Sequence, residues 1–179
     1  MATLDELEAK LEHVRAAPRD RGRIELIVRR PSAGEREVLS EAELDRDRGL
    51  VGDRWISKPS RHTPDGSPNP EQMLTLMNAR AIAALAERDR WPIAGDQLFV
   101  DFDLAEASLP PGTRLSIGTA VIEISKKPHT GCAKFTERFG SDATKWVNSE
   151  AGRALHLRGV NARILASGTV RVGDAIVRV

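Results

Sequence analysis

The spacing of apolar positions changes along the chain. Leu4, Leu7, Leu11 and Val14 recur every three or four residues, which predicts an amphipathic helix over residues 3–15. Thr3 is its N-cap and Glu6 closes a capping box. Pro18 and Gly22 end it, and the charged stretch PRDRGR sets residues 1–20 apart as an appendage. The period then falls to two. Ile24, Leu26 and Val28 alternate, as in a half-buried strand stopped by Pro31. Val38 and Leu39 predict a short strand, and GLVGDRW a glycine-bent one. Prolines at 59, 64, 68 and 70 remove ladder donors from residues 57–72. That leaves an irregular loop, of a length that is often functional.

Residues 73–77, MLTLM, predict a buried strand. Asn78 caps a following helix that carries Ile82, Leu85 and Ala86 on one side and stops at Pro92 and Gly95. DQLFVDFDL reads as a strand. LPPGTRLSIGTAVIEISKKP reads as a hairpin turning at Gly118-Thr119. CAKFTERFG is a short helix, and NSEAGRALHL opens on an Asn-Ser capping signal. The end of the chain gives two or three strands with turns at Gly168 and Gly173. GTRLSIGTAVIEI (112–124) and GTVRVGDAIVRV (168–179) echo each other, which predicts two similar hairpins in one sheet. Many short strands joined by glycine turns predict a β-rich, closed or sandwiched body over residues 21–179, with a few helices.

Composition narrows the function. The 179 residues hold 27 Lys plus Arg against 26 Asp plus Glu, a net charge of +1. A protein built to neutralise phosphates needs a basic excess, and base stacking needs rings, of which this chain has four Phe, three Trp and no Tyr. Nucleic acid is therefore not an expected partner. One cysteine excludes an internal disulfide and any zinc site with two thiolates. No apolar run approaches ~20 residues, so no membrane partner is expected. The start has no apolar signal core, and the expected compartment is the cytoplasm.

Cys132 carries the most chemistry. It opens a predicted helix after Pro128, His129, Thr130 and Gly131, and unpaired N–H groups at a helix start favour thiolate. Lys126, Lys127 and Lys134 are near in sequence and act the same way. A thiolate can attack, carry sulfur or ligate a soft metal. The alternative is an inert buried thiol. His129 is a proton-transfer candidate or a surface histidine; His62 is balanced in the same way, while His13 and His156 read as structural. In Gly52-Asp53-Arg54, Asp53 is placed to orient Arg54 toward a phosphate or carboxylate, or the segment is a plain turn with an ion pair. No GxxxxGK[ST], GxGxxG, GxSxG or HExxH occurs.

GDRW, AGDQLFVDFDL, LPPGTRLSIGTAVIEIS, PHTGCAKF and VNSEAGRALHLRGVNARILASGTVRVGDAIV, in that order, resemble the MOSC family. These domains are similar to the C-terminal domain of molybdenum cofactor sulfurase and include stand-alone bacterial members. The resemblance spans about residues 23–179. It implies a β-barrel, and a Cys132 that carries sulfur or binds the molybdenum of the pterin cofactor. Beside the catalytic candidates Cys132 and His129, the cofactor-binding candidates are Gly52, Asp53, Thr130 and Gly131, with Asn148 to cap or hydrogen-bond the cofactor. Arg54, Lys134, Arg153 and Arg158 are the candidates to hold its phosphate, since guanidinium forks match phosphate geometry; for Arg153 and Arg158 the alternative is ordinary surface pairing. Some relatives are linked to reduction of N-hydroxylated compounds. Pyridoxal phosphate belongs to an aminotransferase-like domain that this chain is too short to contain. The expected partners are a small-molecule cofactor or substrate and a partner reductase or sulfurase. A delivery module without turnover of its own is the alternative. Many relatives follow their GDR segment with His-Gly-Gly and Asp-Lys-Ala-Val stretches, whereas this chain has SRHTPDGSPNPEQMLTLMNARAI.

Overall fold

The computed structural model describes residues 1–179. In chain order the elements are α1 (Leu4–Glu8), α2 (Leu11–Arg15), β1 (Arg21–Arg29), β2 (Glu37–Leu39), β3 (Glu41–Asp45), β4 (Gly49–Leu50), β5 (Leu74–Asn78) and α3 (Ala79–Leu85). Then come β6 (Leu98–Asp101), β7 (Arg114–Ile117), β8 (Ala120–Ile124), α4 (Ala133–Phe139), α5 (Ser141–Asn148), α6 (Glu150–Ala154), β9 (Val160–Ala166), β10 (Gly168–Arg171) and β11 (Ala175–Arg178). Seven strands close a barrel in the order β11-β7-β8-β9-β5-β6-β1, with β1 pairing back onto β11. Closure leaves the barrel strands few free edges. β2 extends β1, and β10-β3-β4 form a small second sheet. The one parallel pair, β5–β6, is joined through α3, a βα crossover inside an otherwise antiparallel barrel.

Two apolar cores explain the strand patterns. Ile24, Ile27, Leu74, Leu76, Leu98 and Val100 are among those that fill the barrel. Leu26, Val28, Met77 and Phe99 on the same strands point outward, into a second core beneath the helices. A register shift between Ile24 and Leu26 marks where β1 changes which face it presents. β5 and β6 are buried on both faces and read as apolar runs. In β1 the expected single apolar face of Ile24, Leu26 and Val28 is instead split, Ile24 facing the barrel and Leu26 and Val28 the outer core. β7 and β8 have one covered face and keep clean alternation, with Leu115, Ile117, Ile122 and Ile124 inside.

Local signals mostly act where they stand. The Thr3–Glu6 capping box forms, and Asn78 Oδ1 accepts from Arg80 and Ala81 to start α3. The helix expected over 3–15 is instead two five-residue pieces broken at Ala9–Lys10. Helices that short persist through packing rather than propensity. Leu7, Leu11 and Val14 supply that packing against the core that holds Phe135, Phe139 and Trp146. α3 stops at Leu85, before Pro92, because Ala86 is extended and its carbonyl accepts from Trp91 Nε1 at 3.1 Å. Pro92 lies inside a separate 3₁₀ helix, Arg88–Ala94. The two echoing segments are not two hairpins. β7 pairs with β8, but β10 leaves the barrel for β3 while β11 pairs with β7 and β1.

Candidate functional site

Barrel closure brings the ends of β1, β8 and β9 together. Each end delivers a polar residue: Arg30 just after β1, His129 in the loop after β8, and Asn161 near the start of β9. The Pro-rich loop folds over them. Together they enclose a cavity of about 370 Å³. Arg30, Arg54, Lys58 and Arg61 line it, with no acidic residue in the lining. The cations feel one another. Burial, then Arg54, Arg30 and Lys134, hold the Lys58 ammonium below the ordinary lysine range. Nearby, burial followed by Arg138, Arg30 and Arg54 lowers the Arg36 guanidinium. A concave, positively charged, acid-free wall attracts an anion.

Asp53 is fully buried and supports that wall, but not through Arg54. Its two oxygens accept from Arg30 Nε at 2.9 Å and Arg30 Nη2 at 2.8 Å. It also caps the turn after it, accepting from the Trp55 N–H. Gly95, at φ +93°, presents its carbonyl to Arg30 Nη1 at 3.0 Å. Arg30 is thus fixed, while Arg54 reaches the cavity with no carboxylate partner. The expected Asp53–Arg54 pair is an Asp53–Arg30 pair. The reason is topological: Arg30 and Asp53 are 23 residues apart and meet only when the segment after β4 folds back beside the end of β1. Gly52, at φ +85°, makes the turn against Arg29.

Cys132 is exposed and caps α4, and Lys134 is exposed in its first turn. No capping hydrogen bond closes on the sulfur. Burial pushes the thiol up, but the backbone N–H groups of Phe135 and Lys134 and the cations Arg158 and Arg138 outweigh it, and the thiol titrates below its ordinary value. An inert core thiol is therefore not what the fold builds. Arg138 lies in the last turn of the same helix and Arg158 comes from beyond α6; the neighbouring lysines are not the cations responsible. The preceding loop is pinned. Gly131 N–H donates to Asn148 Oδ1 at 2.9 Å, and Asn148 Nδ2 donates to the Gly131 carbonyl at 3.1 Å. Asn148 thereby spends its carboxamide on positioning the Cys132 loop.

Behind Cys132 lies a buried ionic cluster. Arg158 Nη1 donates to Asp96 Oδ2 at 2.6 Å, Nη2 donates to the Ala94 carbonyl, and the guanidinium stacks 4.9 Å from the Phe135 ring centre. Arg158 is buried and committed to Asp96, so it is not a free fork for a phosphate. Asp96 Oδ1 has no hydrogen bond and faces His129 Nδ1, itself unpaired, at 3.5 Å. Burial, then Arg158, push His129 down to about 4 against the pull of Asp96. Its ring is neutral at pH 7. With Asp96 facing Nδ1, the favoured tautomer carries its proton there, which makes Nε2 the acceptor.

His129 and Asn161 also line a second cavity, of about 470 Å³, together with Thr130 and Arg153. Sequence reasoning missed Arg30, Lys58, Arg61, Asp96 and Asn161. The positive residues of the Pro-rich loop were the one available signal. No three His, Cys, Asp or Glu side chains gather as metal ligands, so Cys132 is the one thiolate the protein offers. For an anionic cofactor the cavity's donors fit, being cationic and free of acids; Cys132 lines neither cavity and stands three residues along the chain from the histidine in the wall. No helix is long and apolar enough to cross a membrane.

The fold is a closed mixed barrel, with a cation-lined cavity and an exposed cysteine as its candidate site. Its family follows from sequence: the MOSC domain profile matches residues 65–177, and the chain belongs to the MOSC domain family. In fold it is similar to the YuaD protein from Bacillus subtilis, at a TM-score of 0.60 and 14% identity over 87% of this chain and 94% of that one. YiiM from Escherichia coli aligns at a TM-score of 0.57 and 20% identity, over 88% and 69% of the two chains. YiiM from Geobacillus stearothermophilus aligns at 0.57 and 16%, over 88% and 75%. No curated protein matches the chain in sequence.

Proposed function

We propose that this MOSC-type protein holds the molybdenum cofactor with its anionic part in the cation-lined cavity, or carries sulfur on Cys132. The observation that supports this reading most is the pairing of an acid-free wall of four cations with a thiol biased toward thiolate on the adjoining loop. Arg54, Lys58 and Arg61 would bind the phosphate, with Arg30 held in place by Asp53. Cys132 would ligate the metal. The bound cofactor would supply two-electron redox chemistry, such as reduction of an N-hydroxylated compound. Neutral His129 would offer Nε2 as a hydrogen-bond acceptor to whatever occupies the cavity.

Sulfur carriage needs only the thiolate and a donor. Cys132 Sγ attacks the terminal sulfur of a donor protein's persulfide, the donor S–S bond breaks, and the donor leaves as thiolate with no net redox change. The exposure of Cys132 favours this second reading, because another protein can reach the sulfur directly. On that reading the chain is a delivery module that shows activity only beside its partner.

The deciding experiment uses protein purified from a host that makes the cofactor. Elemental analysis measures molybdenum, and mass spectrometry of the Cys132 peptide measures an added sulfur atom. The expected result is stoichiometric molybdenum lost in Cys132→Ala, or a persulfide on Cys132. Neither signal, together with phosphate binding unchanged in Arg54→Glu, overturns the proposal.

A further inference from the structure

We propose that the second cavity binds a small organic anion with an apolar body, and so serves as a substrate pocket across a shared partition from the cation-lined cavity. At about 470 Å³ it is in the range of small-molecule sites. Its walls are apolar: Leu109, Ile124, Val147 and Val160, with Pro111 and Pro128. Polar and charged side chains also line it, three of them cations. Lys126, Lys127 and Arg153 line it, and none is engaged in an ion pair; Glu106 is its one acid. The first cavity is lined by a single hydrophobic residue, Trp55, and is the more polar of the two. An apolar body ending in one carboxylate or sulfonate satisfies both halves.

One polar atom at the lining is unspent. Ser125 Oγ is buried without a partner, and leaving a buried hydroxyl unpaired costs free energy that a bound polar atom would recover. His129 lines this cavity as well as the first, with Nδ1 turned to Asp96. The partition itself is stiff, since Asn161 Nδ2 donates to the carbonyls of Lys127 and Pro128 at 3.1 and 3.4 Å. A molecule seated here and an anion in the first cavity would share His129 as part of their walls. The binding claim stands on this cavity alone. Only its description as a substrate pocket rests on the cofactor reading.

The test is calorimetric titration of the full-length protein with phenylbutanoate, with its neutral amide phenylbutanamide, and with inorganic phosphate. Saturable phenylbutanoate binding is expected. It should weaken by about tenfold in Arg153→Glu and for the amide, as loss of one charge-assisted contact implies. Ser125→Ala, which removes only the hydroxyl, should weaken it severalfold with the fold intact. Arg54→Glu should abolish phosphate binding and leave phenylbutanoate within about twofold, because the two ligands sit in different cavities. No saturable binding, equal binding of acid and amide, or loss in Arg54→Glu but not in Arg153→Glu would overturn the proposal. Phenylbutanoate binding in protein that never acquires molybdenum or sulfur would sink the cofactor reading and leave this pocket standing.

Discussion

Replacing Arg158 by Met tests the buried cluster behind Cys132. Arg158 has about 7% of its side chain exposed, and Asp96 none. Met keeps the stem's volume but removes two donors from Asp96 Oδ2 and the Ala94 carbonyl, along with the cation over Phe135. Asp96 is left as a buried carboxylate whose only polar neighbour of opposite tendency is His129 at 3.5 Å. Breaking such a pair from one side costs about 3–5 kcal/mol. For a chain of this length each kcal/mol moves the melting temperature by roughly 2–4 °C, so a fall of about 6–20 °C is expected. Three further readings follow from the same change. His129 loses its second-largest depressing influence and keeps Asp96, so its ring pKa rises from about 4, as histidine NMR titration would show. The Cys132 thiol loses a cation and titrates higher, which slows its alkylation by iodoacetamide near neutral pH. The double variant Arg158→Met/Asp96→Leu recovers most of the lost stability, because removing both charges leaves nothing uncompensated. A single variant that melts within about 3 °C of the wild type, or a double variant no better than the single, would refute the account.

The His129 shift also has a pH signature. Its folded pKa is depressed to about 4, so the unfolded chain binds more protons below the ordinary histidine value of 6.5. This contribution to stability is fully present above pH 6.5 and is lost as pH falls through about 4. It amounts to about 3 kcal/mol at neutral pH, and His129→Gln should flatten that part of the urea-denaturation profile relative to wild type. An unchanged slope between those pH values would contradict the burial argument. Asn148→Ala removes two hydrogen bonds from Gly131, at about 0.5–1.5 kcal/mol each. Hydrogen exchange at the Gly131 amide should accelerate by at least tenfold while the barrel amides keep their protection. Equal acceleration throughout would mean that Asn148 supports the whole fold rather than the Cys132 loop.

Much of the scaffold is written in short-range pattern. Thr3, Asn78 and Ser149 cap helices from one-residue signals, and the Gly118-Thr119 hairpin forms where its turn chemistry stands, because those interactions span only a few residues. Cys132 and its loop were equally legible, since PHTGCAK carries its own breaker and helix start. The site around them was not. Asp53 finds Arg30 rather than adjacent Arg54, Arg158 finds Asp96 across 62 residues, and Arg158, from beyond α6, helps lower the thiol where the nearby lysines do not. The echo of 112–124 in 168–179 misled for the same reason: β10 and β11 have hairpin turn chemistry, yet each pairs with a strand from another part of the chain. The sequence alone determined the β-rich body, its caps and turns, and the one sulfur available. Only closure of the barrel decided which charges meet around it, because charge pairing and burial depend on distance in space, and strand order, not spacing along the chain, sets that distance.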